Sequence, residues 1–480
     1  MKNLQNIFIN AVSYFFIFLF VYASVSKLTD YEMFLMQLAQ SPILGGYPAI
    51  IGFLVIFVEL VTAILLIFRG SRLLGLYGAL GIMSVFSVYI YLIVNYSESI
   101  PCSCGGILER MDWNTHLLFN LFCVIMATAA IATKPKGNKQ KILGLSAMII
   151  LTPGLLLTLF FFLQTIDKQG NFTRKIMSPL QTEYKTISLT NESYYFAGNH
   201  GDTLFLANRK TPLLLSTITP HFQMVKIDKI KLDNYKHKFV SVTINIKYPH
   251  FSISDGKVPA VFEGRLPSLK AYDCGINRLY FSRFYMLEPN RYVFKTMLIK
   301  TKENELGILN TATKKYSIFP DVLQSKVDGI FDTDGDMVID RKNKKIIYTH
   351  FYRNEIITTD FELKDIQRHQ TVDSLSNSSI ETKTLSNGQT KLVKSPSVIN
   401  RVQTVSGNRF YNVSRRRGRN ESFLDFRNKI TIDVYDTDSK KYLHSFYIIN
   451  NNRTKIKNIL STKHYLYVLS GNKIIRYAYK

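Results

Sequence analysis

Apolar residues crowd the first third of the chain and then thin into alternation. Five long runs, about residues 7–26, 49–68, 73–94, 116–132 and 142–163, each approach the roughly 20 residues that cross a hydrocarbon core. The first is too long for a signal-peptide core, and Lys27 follows it where a small-residue cleavage site belongs. It reads as a retained helix, and the spacing predicts five crossings.

After residue 163 the pattern becomes that of strands. Val240, Val242, Ile244 and Ile246 alternate through 239–246, as in a half-buried strand. Segments 465–469 and 473–479 flank Ser470-Gly471-Asn472, a hairpin signal. No helical period of useful length is evident in this part. A weak repeat is: 434–442 echoes 308–316, each a strand ending in Asp or Asn, a turn, two lysines and an aromatic strand. Looser echoes stand at Asn208 and Asp360. The positions Asn208, Asn310 and Asp360 fit a unit of about 50 residues, in the range of propeller blades. The wider gap to Asp436 requires an insertion, for which the polar stretch 374–389 is the candidate. About 300 residues at this period predict an all-β domain with six blades, the competing architecture being a pair of β-sandwiches. Asp332-Thr333-Asp334-Gly335-Asp336 has Met337 and Asn343 where a calcium loop needs Gly and Glu, so it reads as a tight hairpin turn around Asp334-Gly335.

Charge orients the apolar runs. Lys2, Arg69, Arg72, Lys134, Lys136, Lys139 and Lys141 fall on one side, whereas only Lys27 and Arg110 fall on the other. That bias places the N-terminus in the cytoplasm of a bacterial inner membrane. Five crossings then put the loop around residue 102, and everything after 163, outside. The net charge is +25, and residues 142–480 carry +22 of it. An anionic envelope partner or anionic headgroups would suit such a domain, as would a merely solvated basic surface. Nucleic acid is not expected on that side. The run Arg415, Arg416, Arg417 and Arg419 beside Gly418 reads as an exposed loop.

Four cysteines are too few for a disulfide scaffold. Cys123 sits within the fourth run as a small packing residue. Cys274 is alone in the outer domain, either buried and inert or a free thiol. Cys102 and Cys104 are different. They stand in Pro-Cys-Ser-Cys-Gly-Gly between two crossings, on the side where disulfides persist. Gly105-Gly106 supplies backbone freedom. A ring closed across one intervening residue departs from relaxed disulfide geometry and should reduce easily. A static clip on the loop is the alternative. Glu59 lies midway along the second run, where an ionisable group faces the bundle interior; it either relays protons or pairs with Lys27. Trp113 suits the membrane interface, and His116 is near enough in sequence to help form a thiolate, or is simply structural.

These residues resemble the MauE/DoxX-type redox-associated membrane proteins, a four-helix family named after a methylamine-utilisation protein. The resemblance covers about residues 1–135 and rests on Ser26-Lys27, Val58-Glu59-Leu60, Cys102-Ser103-Cys104-Gly105-Gly106, and Trp113 with Asn120. The family commonly reads Cys-Gly-Cys-Phe-Gly in the loop, so Ser103 and Gly105 depart from it. The resemblance implies disulfide chemistry outside the membrane, alongside a thioredoxin-like partner or a secreted thiol substrate. It also implies a quinone as a candidate acceptor, since the wider fold resembles bundles that hand electrons to quinones.

The organisation expected is thus a transmembrane four-helix domain (1–135), a Lys-rich loop with a fifth transmembrane helix (136–165), and an outer propeller-like domain (166–480). The expected function is thiol–disulfide exchange through Cys102 and Cys104, with Glu59 and His116 handling protons. A bilayer-anchored, non-enzymatic binding platform is the rival reading.

Overall fold

A computed structural model describes residues 2–39, 41, 44, 47–96, 111–133, 154, 157–158, 170–375, 380–384, 390–392, 396, 398–449 and 455–480. They form two compact units: Met1–Asp167 with Ile380–Pro396, and Lys168–Ser379 with Ser397–Lys480.

The first unit holds α1 (Lys2–Thr29), α2 (Tyr31–Ala39), α3 (Pro48–Ile67), α4 (Arg72–Tyr96) and α5 (Trp113–Ala132). All but α2 are long and apolar enough to cross a membrane. Local chemistry sets several ends. Pro48 occupies the first turn of α3, where its missing N–H is not needed. The Asp112 carboxylate accepts the N–H groups of Asn114 and Thr115 at 3.2 and 3.3 Å and starts α5.

The four long helices close a ring in which α1 lies against α3 and α5, and α4 against α3 and α5. Phe16, Phe20, Leu66, Leu80, Ala127 and Ile131 fill its centre. At Gly75 an added Cβ would come within 2.9 Å of the Leu66 backbone nitrogen, so this glycine lets α3 and α4 approach closely. The outward faces are as apolar as the core, with Phe18, Phe53, Leu118 and Ile125 exposed. Helices apolar all round require a lipid solvent. The short α2 is an element that the apolar runs do not announce. The fifth expected crossing lies outside the described residues, apart from Gly154, Leu157 and Thr158.

The second unit is a six-bladed β-propeller. Its sheets span 194–229, 231–273, 283–319, 335–370 and 400–449, and the sixth joins 456–479 to the strand Leu180–Ser188. The innermost strands Tyr194–His200, Val242–Lys247, Arg283–Glu288, Gly335–Asp340, Asn400–Ser406 and Ile456–Ser461 touch in turn around a closed circle. Leu180–Ser188 pairs antiparallel with Lys473–Tyr479, so one blade is built from both ends of the domain and locks the ring. Alternation reads as expected within Val242–Lys247, where Val242, Ile244 and Ile246 are buried; Val240 lies before the strand and is exposed. Tyr465–Ser470 and Lys473–Tyr479 form the foreseen hairpin.

The repeat has a physical basis. Asn310, Asp360 and Asp436 each end the third strand of a blade. Their side chains accept the N–H groups of Thr313, Lys364 and Ser439 at 3.0, 2.8 and 2.7 Å. A residue in the left-handed region follows each: Lys314, Leu363 and Lys440, with φ of 56°, 57° and 61°. Asn208 plays the same capping role toward Lys210, but at the end of a second strand, so that echo is out of register. The extra length before Asp436 is the 371–399 connection, which carries the hairpin Thr382–Thr384 with Thr390–Leu392.

Three expectations need correction. A short helix, α6 (Phe423–Asn428), does occur in the β-domain, capped by Ser422. Arg416 is buried and pairs with Asp373 at 2.9 Å, so the arginine run is not simply an exposed loop. Asp332–Asp336 is no hairpin: it leads a long connection into the strand Gly335–Asp340. The Asp332 carboxylate organises that connection by accepting the N–H groups of Lys326, Val327 and Gly329 at 2.6, 3.0 and 2.7 Å.

Glu305 gives the third blade a pH dependence. It is buried, its Oε2 has no partner among the described residues, and burial beside Glu303 and Asp321 pushes its carboxyl up to about 7. The folded chain therefore retains a proton that the unfolded chain has released, so stability falls as pH rises from about 4.5 to about 7. Glu305→Gln should raise the melting temperature at pH 8 and leave it nearly unchanged at pH 5. An equal shift at both values would refute this account.

Candidate functional site in the helical bundle

The last turns of α1 place Ser24 and Lys27 on one face, opposite Glu59 at the middle of α3. Lys27 Nζ donates to Glu59 Oε1 at 2.8 Å and Oε2 at 3.0 Å, and Ser24 Oγ donates to Oε2 at 3.0 Å. Lys27 is 7% exposed and Glu59 1%. A lone charge at such a position is expensive, and its opposite partner with a third donor is the arrangement that makes it tolerable. Glu59 is therefore an ion-pair partner of Lys27.

The first two turns of α5 supply the second polar set. Trp113, His116 and Asn120 are spaced to share one helix face. The rings of Trp113 and His116 stack with centroids 6.3 Å apart. His116 is 8% exposed and Asn120 2%, yet His116 Nδ1 and Asn120 Nδ2 have no hydrogen-bond partner among the described residues. Such groups normally find partners when buried, so this pair stands ready for one.

Both sets open on one cavity of about 250 Å³. Phe20 and Ala23 of α1, Phe34 and Leu38 of α2, Val55 of α3 and Phe86 and Tyr89 of α4 give it apolar walls, with Lys27, Glu59, His116 and Asn120 as the polar points. The lining comes from the C-terminal parts of α1 and α4 and the N-terminal parts of α3 and α5. The cavity thus lies toward the end of the bundle from which the 97–110 connection departs. Cys102 and Cys104, the candidate thiols, belong to that connection and lie outside the described residues. Of the expected site residues, the structure brings Glu59 and His116 to one cavity. Sequence reasoning missed Ser24 as the third donor to Glu59, although its i−3 spacing from Lys27 was a usable signal. It also missed the α2 wall.

The remaining cysteines are not candidates for exchange. Cys123 is buried in the bundle core. Cys274 is a half-buried free thiol in the propeller, and burial, reinforced by the Glu263 and Asp273 carboxylates, raises its pKa far above the ordinary thiol range. Such a thiol stays protonated and unreactive. In the fourth blade, His350, Arg353 and Glu355 form a buried network in which Arg353 Nη2 lies 2.7 Å from His350 Nε2. Burial and the adjacent Arg353 hold His350 neutral, which suits a structural tie. Among the described residues no group of three or more His, Cys, Asp or Glu side chains is placed to hold a metal ion.

Residues 5–133, which hold the helical bundle, match the family model for methylamine utilisation protein MauE. No curated protein matches the chain. Among solved structures, the chain is similar to a member of the DUF4221 family from Bacteroides vulgatus, at 12% identity over 64% of this chain and 98% of that one, with a TM-score of 0.42. It is also similar to an auxiliary nutrient binding protein from Bacteroides thetaiotaomicron, at 10% identity over 65% of this chain and 76% of that one, with a TM-score of 0.38. The propeller assignment itself rests on the strand order described above.

Proposed function

We propose that the chain is a membrane-bound thiol–disulfide redox protein that works outside the cytoplasmic membrane through Cys102 and Cys104. The observation that carries this reading is the cavity: in a bundle that matches the MauE family model, two buried and unpartnered polar groups face it, toward the end of the bundle that bears the cysteine loop. A thiolate of a thioredoxin-like protein or a secreted thiol substrate attacks the Cys102–Cys104 bond. A mixed disulfide forms as that bond breaks, and a second thiolate of the partner then resolves it. The partner leaves as a disulfide, and both loop sulfurs leave reduced. His116 is the proton handler nearest the loop in sequence, and Glu59, held by Lys27 and Ser24, fixes the charge of the cavity.

Reoxidation of the pair needs an acceptor, and a quinone fits the residues present: apolar walls for a ring and tail, and His116 and Asn120 to bond its oxygens. When bound, a quinone supplies a sink for two electrons and two protons. The orientation follows from the lysines and arginines. Lys27 and Arg72 are both buried in the bundle, and setting them aside leaves Lys2, Arg69 and the four lysines at 134–141 against Arg110. The N-terminus is then cytoplasmic, and with the run at about residues 142–163 as a fifth crossing the propeller is periplasmic.

The test is trapping. With Cys104→Ala in the full-length chain, the Cys102 thiolate should attack the disulfide of the oxidised partner, releasing one partner sulfur as a thiolate, and accumulate as a mixed disulfide that a reductant dissolves; quinone depletion should drive the wild-type pair to the dithiol. His116→Ala should slow reoxidation by about tenfold or more. Should no adduct form, and loss of both sulfurs leave growth and envelope disulfides unchanged, the bundle would be only an anchor for a binding platform.

A further inference from the structure

The four main strands of each blade are antiparallel neighbours, with Lys231–Leu232 added parallel at the outer edge of the second and Leu180–Ser188 serving as the fourth strand of the last, so the first-to-second and third-to-fourth turns emerge on one face of the propeller. The second-to-third turns and the connections between blades emerge on the other. Among the described residues the two faces differ sharply. Tyr235, Val240, Tyr280, Ile299 and Val327 are large apolar side chains exposed in loops, and all five belong to the second face. Ile299 is 91% exposed. The turns of the first face expose one such residue, Tyr248.

These five residues come from four different loops. The loops lead into and lie within the second to fourth blades, each accompanied by a cation. Lys236 and Lys238 flank Tyr235 and Val240, Arg278 precedes Tyr280, and Lys300 and Lys302 follow Ile299; all five are exposed. Aromatic and aliphatic tips set among cations match a headgroup layer, which accepts apolar tips at its boundary and attracts positive charge.

The path of the chain points to the same face. Gly170 donates its N–H to the Arg417 carbonyl at 2.7 Å, and Arg419 donates to the Phe172 carbonyl at 2.7 Å. The 414–429 segment is the second-to-third connection of the fifth blade, so the chain joins the propeller on the second face.

We propose that this face is a membrane-docking surface for anionic phospholipid, a role that stands apart from the thiol chemistry. The full-length chain should be placed in nanodiscs of phosphatidylcholine, with or without a one-third share of phosphatidylglycerol, and footprinted with hydroxyl radicals at low salt. Oxidation of Tyr235, Tyr280 and Ile299 should slow at least threefold in the anionic discs, while Tyr248 reacts equally in both. The triple variant Lys236→Glu, Lys300→Glu and Lys302→Glu should return to the neutral-disc rates, with Tyr248 reporting an intact fold. Equal oxidation of the three residues in both lipids would overturn the proposal. So would protection that survives the charge reversal, which would assign the cover to a protein surface, such as a second copy of this chain.

Discussion

Lys27→Met should leave the Glu59 carboxyl without its cation inside the bundle, and the helical unit should lose about 3–5 kcal/mol of stability, the usual penalty for breaking a buried pair. Glu59→Met should cost a similar amount by stranding Lys27. In wild type the two charges lie 2.8 Å apart with almost no access to water, so neither can recover hydration when its partner goes. Lys27→Met combined with Glu59→Met puts apolar groups of similar length in both places, and most of the loss should then return. The coupling, read from thermal unfolding in nanodiscs as a double-mutant cycle, should be well above the ~0.5 kcal/mol scatter of independent sites. Additive single effects would show that the pair is not what holds α1 to α3. The double variant also divides structure from chemistry. If it folds but no longer reoxidises the Cys102–Cys104 pair, the ion pair serves electron transfer; if it does both, the pair is a strut.

The sequence exposes features that contrast with their surroundings, and hides those made by distant partners. Glu59 is legible because it is a charge in an apolar run, for which lipid permits few reasons, and Lys27, just past the end of the first run, is the cation at hand to pair with it. The blade period is legible because an Asp or Asn must cap the turn after a third strand, as Asn310, Asp360 and Asp436 do. The same chemistry misleads at Asn208, since a side-chain cap suits the end of any strand. Asp334-Gly335 misleads likewise: Asp-Gly signals a tight turn, but here the adjacent Asp332 spends its carboxylate ordering a long connection. The cavity is hidden because five helices each lend it only one or two turns. Arg416 is hidden because four arginines near a glycine resemble a solvated loop, while its carboxylate, Asp373, is far away in sequence.

Arg174 shows most strongly how much such distant pairing matters, and its loss should be the most damaging single change in the propeller. Nε donates to Asp433 Oδ1 at 2.8 Å, Nη2 to Ser414 Oγ at 2.7 Å, and Nη1 to the Arg416 carbonyl at 2.9 Å and also to Glu421. Phe172 covers the guanidinium, 4.7 Å from ring centre to Cζ. The two carboxylates are buried, so Arg174→Met leaves both without their cation within the fifth blade. The expected loss is about 3–5 kcal/mol in the propeller's unfolding transition, with the 170–177 segment opened to proteases. Arg174→Lys should recover only part of it, because one ammonium lacks the planar fork that addresses Asp433 and Glu421 together. Adding Asp433→Asn and Glu421→Gln to Arg174→Met removes the stranded carboxyls and should restore much of the stability. If the Arg174→Met chain instead melts and resists proteolysis like wild type, the lead-in strand is held by its backbone bonds to Ser445 and Arg419, and the guanidinium is incidental.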